Sequence, residues 1–194
     1  MNKTFFKQVK IAAFIVCIFF VVAIVYFLFF YSNKDIEDKQ KSLSVRFNSS
    51  DIILLKNTLP ISDQLGKDND GNTGEESVQP YLEFSVKNLN NKSMNYDIIL
   101  TQQFTEKNQI KDNYVKLYLT DDKDTSMDGF QGNFVPTFYD FYYLTDKPSS
   151  KLLFSDSLEK GESKTYRLRV WLSDRYSISF EPEEFSFDVD VLAK

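Results

Sequence analysis

Apolar residues recur at every second position through most of the chain after Ser42, and this alternation constrains the fold more than any other feature. Leu43, Val45 and Phe47 share one face of an extended segment; Ile52 and Leu54 follow after Asn48-Ser49-Ser50. Leu82, Phe84 and Val86 alternate with Glu83, Ser85 and Lys87, and a turn at Asn88–Lys92 leads to Tyr96, Ile98 and Leu100. Val115, Leu117 and Leu119 come next. Leu152–Leu158 then turns through Lys160-Gly161-Glu162 into Thr165–Leu172, and Phe185, Phe187, Val189 and Val191 close the chain. A period of two with turn formers between the runs is the pattern of half-buried strands. About eight such runs, with no helical period among them, predict an all-β domain, an antiparallel β-sandwich of Ig-like or jelly-roll-like form. Ser62–Gln79 has no apolar period and reads as a mobile loop.

Ahead of this domain, Ile11–Tyr31 carries no charge. Its 21 residues at ~1.5 Å each give roughly 31 Å of helix, close to the ~30 Å hydrocarbon core of a bilayer. Lys3, Lys7 and Lys10 precede the run and no Asp or Glu occurs before Asp35, which puts the N-terminus in the cytoplasm. A cleavable secretory signal is the competing reading. Such a signal has a shorter apolar core and ends in small residues, whereas this one ends Phe29-Phe30-Tyr31-Ser32. The expected organisation is a cytoplasmic basic flank (1–10), a single-pass transmembrane signal anchor (11–31), a polar stalk (32–41) and an extracellular β-sandwich domain (42–194) in the cell membrane.

The chain carries 23 Lys+Arg and 28 Asp+Glu, net −5; with Lys3, Lys7 and Lys10 set aside, the exported part stands at −8. An acidic surface repels phosphate backbones, which argues against a nucleic-acid partner. Cys17, the only cysteine, falls inside the apolar run, so the exported domain has no disulfide. This usage, rich in Phe, Tyr, Ile, Lys and Asn, suits a surface protein of an AT-rich bacterium with a single membrane. Histidine is absent. That removes Ser-His-Asp and Cys-His nucleophilic machinery and the histidine-based zinc, iron and copper sites. A non-catalytic domain without a resident cofactor is the expectation.

Three groups of residues could carry binding. On Thr165–Leu172 the core face is Tyr166, Leu168, Val170 and Leu172, which turns Arg167, Arg169 and Trp171 the other way. An outward Arg-Arg-Trp row offers a cation–π platform for a glycan or a protein; a neighbouring loop over Trp171 is the alternative. The segment Phe130–Tyr143 is half aromatic, with Phe134, Phe138, Tyr139 and Tyr142 as candidate contact rings; a loop packed across the open end of the sandwich is the alternative. Asp121, Asp122, Asp124 and Asp128 before Gly129 could supply hard oxygen ligands to calcium, or simply form turns. Asp68-x-Asp70-Gly71 resembles the middle of an EF-hand loop, but Gly66 and Ser77 stand where that loop needs carboxylates, so the match fails.

The stretch Leu158-x-x-Gly161-x-Ser163-x-x-Tyr166-x-Leu168-x-Val170, together with the N-terminal apolar run, resembles the camelysin/TasA-like group of Gram-positive surface proteins. The resemblance implies an exported jelly-roll-like sandwich that assembles into matrix fibres. This chain departs from the group in lacking a clean signal-peptidase site, which puts release into fibres in doubt. Members have been classed as metallopeptidases, and with no histidine that activity does not carry over. The expectation is a membrane-anchored surface interaction module, structural or assembly-related, whose partner is itself or another surface protein. A glycan- or peptide-binding domain and an accessory subunit of a membrane complex are the alternatives.

Overall fold

Alternating side chains form eight strands among the described residues. The elements are β1 (Leu43–Phe47), β2 (Ile52–Lys56), α1 (Asp63–Lys67), β3 (Tyr81–Asn88), β4 (Met94–Gln103), β5 (Val115–Asp121), β6 (Ser150–Leu158), β7 (Ser163–Leu172) and β8 (Glu184–Ala193). The computed structural model describes residues 16, 18–27, 42–70, 79–103 and 109–194. The chain divides into two compact units, Met1–Lys41 and Ser42–Lys194. In the first unit residues 18–27 are helical with exposed apolar side chains. Both ends of the expected span over 11–31, the basic flank and the stalk lie outside the described residues. Among the described residues no helix is long and apolar enough to cross a membrane.

The second unit is two four-stranded sheets, β1-β3-β7-β5 and β2-β8-β4-β6, with every strand pair antiparallel. This is the architecture of an all-β sandwich. Leu82, Leu168 and Leu119 stand in register across β3, β7 and β5 and are fully buried, facing Ile98, Leu100, Phe187 and Val189 of the other sheet in one core. Inside that core Tyr96 of β4 and Tyr166 of β7 share a hydrogen bond between their hydroxyls. Tyr166 donates to Asp156 Oδ2 at 2.7 Å and Lys164 Nζ to the same oxygen at 2.8 Å. Burial raises both phenols, which keeps them as neutral donors. Burial works to raise Asp156 too, but the bonds from Lys164 and Tyr166 outweigh it and hold the carboxyl below its ordinary range.

Ser42 enters at one end, where Leu43 pairs with Asn88, Met94 with Leu158 and Tyr96 with Ala193. The turn between β6 and β7 lies there, with Gly161 at φ 72°. The strand ends that lead into and out of the long connections β2–β3, β4–β5 and β7–β8 lie at the opposite end. Along one side the chain switches sheets at Asn48–Asp51. β1 covers only residues 84–88 of β3, and β2 only residues 184–188 of β8. On the other side the β5–β6 connection bridges the two sheets. Ser126 and Thr137 pair with Thr120 and Lys116 of β5, and Tyr143 pairs with Lys151 of β6.

Two expectations need correction. Ile52 and Leu54 do not face the core; Ile53 and Leu55 do, and Ile52 and Leu54 are half exposed. The register of β2 on β8 sets Ile53 opposite Phe187 and Leu55 opposite Phe185. Nor is the segment from Ser62 irregular throughout. The Ser62 hydroxyl accepts from Leu65 N, capping α1, with Asp63 in the first turn and Lys67 in the last. Residues 71–78 of that segment lie outside the described residues.

Candidate functional site

The Arg-Arg-Trp row of β7 lies on the outer face of its sheet as the alternation requires, but it is not open to a ligand. Trp171 is fully buried and Arg169 nearly so. The cover is α1 and the residues after it. Gly66 rests on the indole so closely that a Cβ there would overlap the ring. The Arg169 guanidinium spends its donors on this cover and its surroundings: Nε on Asn69 O at 2.6 Å, Nη1 on Thr120 Oγ1 at 2.9 Å, Nη2 on Asp124 Oδ1 at 2.7 Å. It also stacks over Tyr81 at 5.7 Å. Arg167 Nε donates to Glu83 Oε2 at 2.9 Å and Nη1 to Asp124 Oδ1 at 3.1 Å. Lys116 Nζ lies 3.5 Å from Asp63 Oδ2, and Lys67 sits over the Tyr118 ring at 5.2 Å. The platform exists, and the chain's own segment occupies it. Among the described residues the indole Nε1–H finds no acceptor.

Most of the aspartates after β5 are engaged within the chain. Asp121 Oδ1 accepts from Lys123 N and Thr125 N and caps its own turn. Asp124, at φ 60°, turns its carboxylate onto Arg167 and Arg169. Asp128 accepts from Gln131 Nε2. Among the described residues no three acidic, cysteine or histidine side chains are placed to hold a metal ion, and Asp121, Asp122, Asp124 and Asp128, the expected calcium ligands, form no such group. Asp121 acts as a turn cap and Asp124 as an ion-pair partner. The hydrogen bond from Arg169 holds Asp124 below the usual carboxylate range, and the one from Arg167 does the same for Glu83.

The aromatic segment splits in two. Phe130 and Phe138 are buried; Phe138 meets Phe185 at 5.0 Å and Phe187 at 5.3 Å, and Phe130 stacks on Phe141. These rings plug the side of the sandwich between β5 and β6, so Phe138 is a core residue rather than a contact ring. Phe134, Tyr139, Tyr142 and Tyr143 point out, Tyr142 at 87% exposure. Hydrogen bonds from Leu117 N to Pro136 O and from Leu152 N to Tyr142 O, both 3.0 Å, tie the segment to β5 and β6. Thr137 and Asp140 form a reciprocal capping box around the turn that carries Tyr139.

Sequence reasoning misses Lys151. It pairs with Leu100 on the core face of β6 and is 2% exposed. Its ammonium donates to Phe138 O at 2.8 Å, lies 3.6 Å from Asp112 Oδ2, and sits among the rings of Phe138, Tyr139 and Tyr143. Burial lowers its pKa against the pull of Asp112. Among the described residues two hollows are found at the loop-bearing end. One of about 460 Å³ is lined by Gln102, Gln109, Ile110, Lys111, Asp112, Asn113 and Tyr139. The other, about 260 Å³, lies on the far side of Ile110 between Leu59, Tyr176 and Ile178. There Tyr176 donates to Glu183 Oε2 at 2.6 Å, and burial with that bond pushes its phenol up to about 12.

No protein-family model and no curated protein matches the chain. Among solved structures, that of AvmM, which catalyses macrocyclization in alchivemycin A biosynthesis, aligns over 75% of this chain and 89% of its own. The identity is 9% and the TM-score 0.31, too distant to bear on fold or activity.

Proposed function

We propose that residues 42–194 form a non-catalytic interaction domain of a bacterial cell surface, anchored in the membrane through residues 11–31. Its exposed rings at Phe134, Tyr142 and Tyr143 meet another surface protein or a second copy of the chain. The observation that supports this reading is the aromatic segment. It buries two rings to fix itself across the sandwich and leaves bulky rings bare on a backbone pinned at both sheet edges. Large rings held rigidly at a surface are the usual anchors of protein contacts. The apolar run with basic residues on its N-terminal side supports the anchor and its orientation.

Photo-crosslinking of the full-length chain in its native membrane tests the proposal, with the crosslinker at position 142 or 134 and a control at 160 in the opposite turn. A discrete adduct from 142 and 134 but not from 160 is expected, its mass separating self from another protein. Equal labelling at all three positions, or none, would overturn the reading. Carbonate extraction of the same membranes tests the anchor: a chain released into the supernatant would refute it.

A further inference from the structure

We infer that the larger hollow, between the end of β4, residues 109–113 and Tyr139, is a binding site for a neutral oligosaccharide. This goes beyond the protein contact proposed above and uses different residues. The hollow's volume of about 460 Å³ is within the range of small-ligand sites, roughly 300–1,000 Å³. Its wall chemistry is that of a polyol site. Tyr139 is two-thirds exposed; the capped turn holds its backbone, and its ring centroid lies 5.8 Å from the Lys151 ammonium. An exposed ring on a held backbone is a stacking surface for the apolar face of a sugar. Gln102, Gln109 and Asn113 bring three carboxamides, each both donor and acceptor, matching hydroxyls that are both as well. No hydrogen bond engages these three side chains among the described residues.

Charge points the same way. Lys111 and Lys151 are matched in number by Asp112, 3.6 Å from Lys151, and by Asp140, whose charge also acts on Lys151. The hollow therefore offers neither a net positive field for a phosphate or uronate nor a free carboxylate for a cation. An extended peptide is the less suitable occupant, because it would need an unpaired strand edge beside the hollow. Most of that edge is taken: Ile110 N donates to Glu184 O, Gln109 pairs with Glu184, and β4 is paired with β8 as far as Gln103 and with β6 as far as Thr101.

The test is calorimetric titration of the full-length protein in a detergent without a sugar headgroup. The probes are the neutral tetrasaccharides of β-glucose, α-glucose, β-N-acetylglucosamine and α-mannose, a tetrauronate, and tetra-alanine. Saturable binding of at least one neutral tetrasaccharide is expected. Tyr139→Ala should weaken it about tenfold or more and Tyr139→Phe should preserve it, since the ring face does the work. Asn113→Ala should weaken it severalfold. Phe134→Ala with Tyr142→Ala should leave it unchanged while removing the protein contact, so the two proposals fail separately. Absence of binding by every neutral tetrasaccharide, binding that survives Tyr139→Ala, or preference for the tetrauronate or the peptide would overturn the inference.

Discussion

Two surfaces of this domain carry the residue types of a contact site, the outer face of β7 and the segment 130–143, and they differ in what covers them. On β7 the chain supplies its own partner. α1 lies over Trp171, and Arg169 reaches to the backbone after it. In the segment 130–143 the division runs along the chain itself, with Phe138 in the core and its neighbour Tyr139 in solvent. An aromatic or guanidinium group marks a surface that needs covering; whether the cover is the same chain or another molecule is decided by tertiary contacts. Stability and exposure measured at the same residues separate the two cases.

The largest effects belong to the covered rings. Trp171→Ala and Phe138→Ala should each cost about 3–5 kcal/mol, the range for removing a large buried ring, read from the urea midpoint. Trp171→Phe should cost far less, because it keeps a ring under α1 and deletes an N–H that has no acceptor among the described residues. A Trp171→Ala variant of wild-type stability would mean that α1 does not close over β7 in solution. Gly66→Ala probes the same cover from the other side. The new methyl overlaps the indole, so α1 must shift, at about 1–3 kcal/mol as an overpacked contact. Trp171 is the only tryptophan, so its emission should move to the red as the helix lifts. An unshifted spectrum would contradict the close packing.

How far the sequence carries such distinctions can be seen residue by residue. Period two assigns Leu168 and Trp171 to opposite faces of β7 correctly, because alternation is a property of the strand alone. It is silent on the cover, since α1 is five residues long and sits in a stretch of Asp, Gly and Asn with no apolar period. In Ile52-Ile53-Leu54-Leu55 every residue is apolar, so either parity fits, and pairing with β8 decides. Lys151 reads as a solvent-facing lysine before an apolar run. It turns inward because the β4–β6 register shifts between Ile98 and Ile99, an irregularity with no local signature. The aspartates after β5 have ligand-like spacing, but Asp124 at a positive φ is aimed at two arginines that lie more than forty residues away in sequence.

A smaller effect is expected where the covered surface meets solvent. Glu83 and Asp124 titrate below their unfolded values because Arg167 and Arg169 hydrogen-bond the charged forms. The unfolded chain therefore binds more protons than the folded one in that window. The stabilisation is complete above the unfolded carboxylate pKa of about 4 and is lost as pH falls through the lower folded values. Asp124→Asn should flatten the fall in melting temperature between roughly pH 5 and pH 2 while changing neutral stability only modestly, since its carboxylate is more than half exposed. A steeper acid transition in the variant would reverse the assigned sign.

The uncovered rings should give the smallest change in stability, and that small change is the informative one. Phe134→Ala with Tyr142→Ala removes two rings that stand mostly in water, 65% and 87% exposed. The urea midpoint should therefore stay within what surface substitutions cause, about 0.5 kcal/mol each. The backbone that carries them is fixed by its bonds to Pro136 and Tyr142 carbonyls and by the buried Phe130 and Phe138, none of which the double variant disturbs. A loss of several kcal/mol would show that these rings also fold back onto the domain, making the two surfaces alike. Unchanged stability with the crosslinked adduct lost would place the use of these rings outside the chain, where only a partner can bury them.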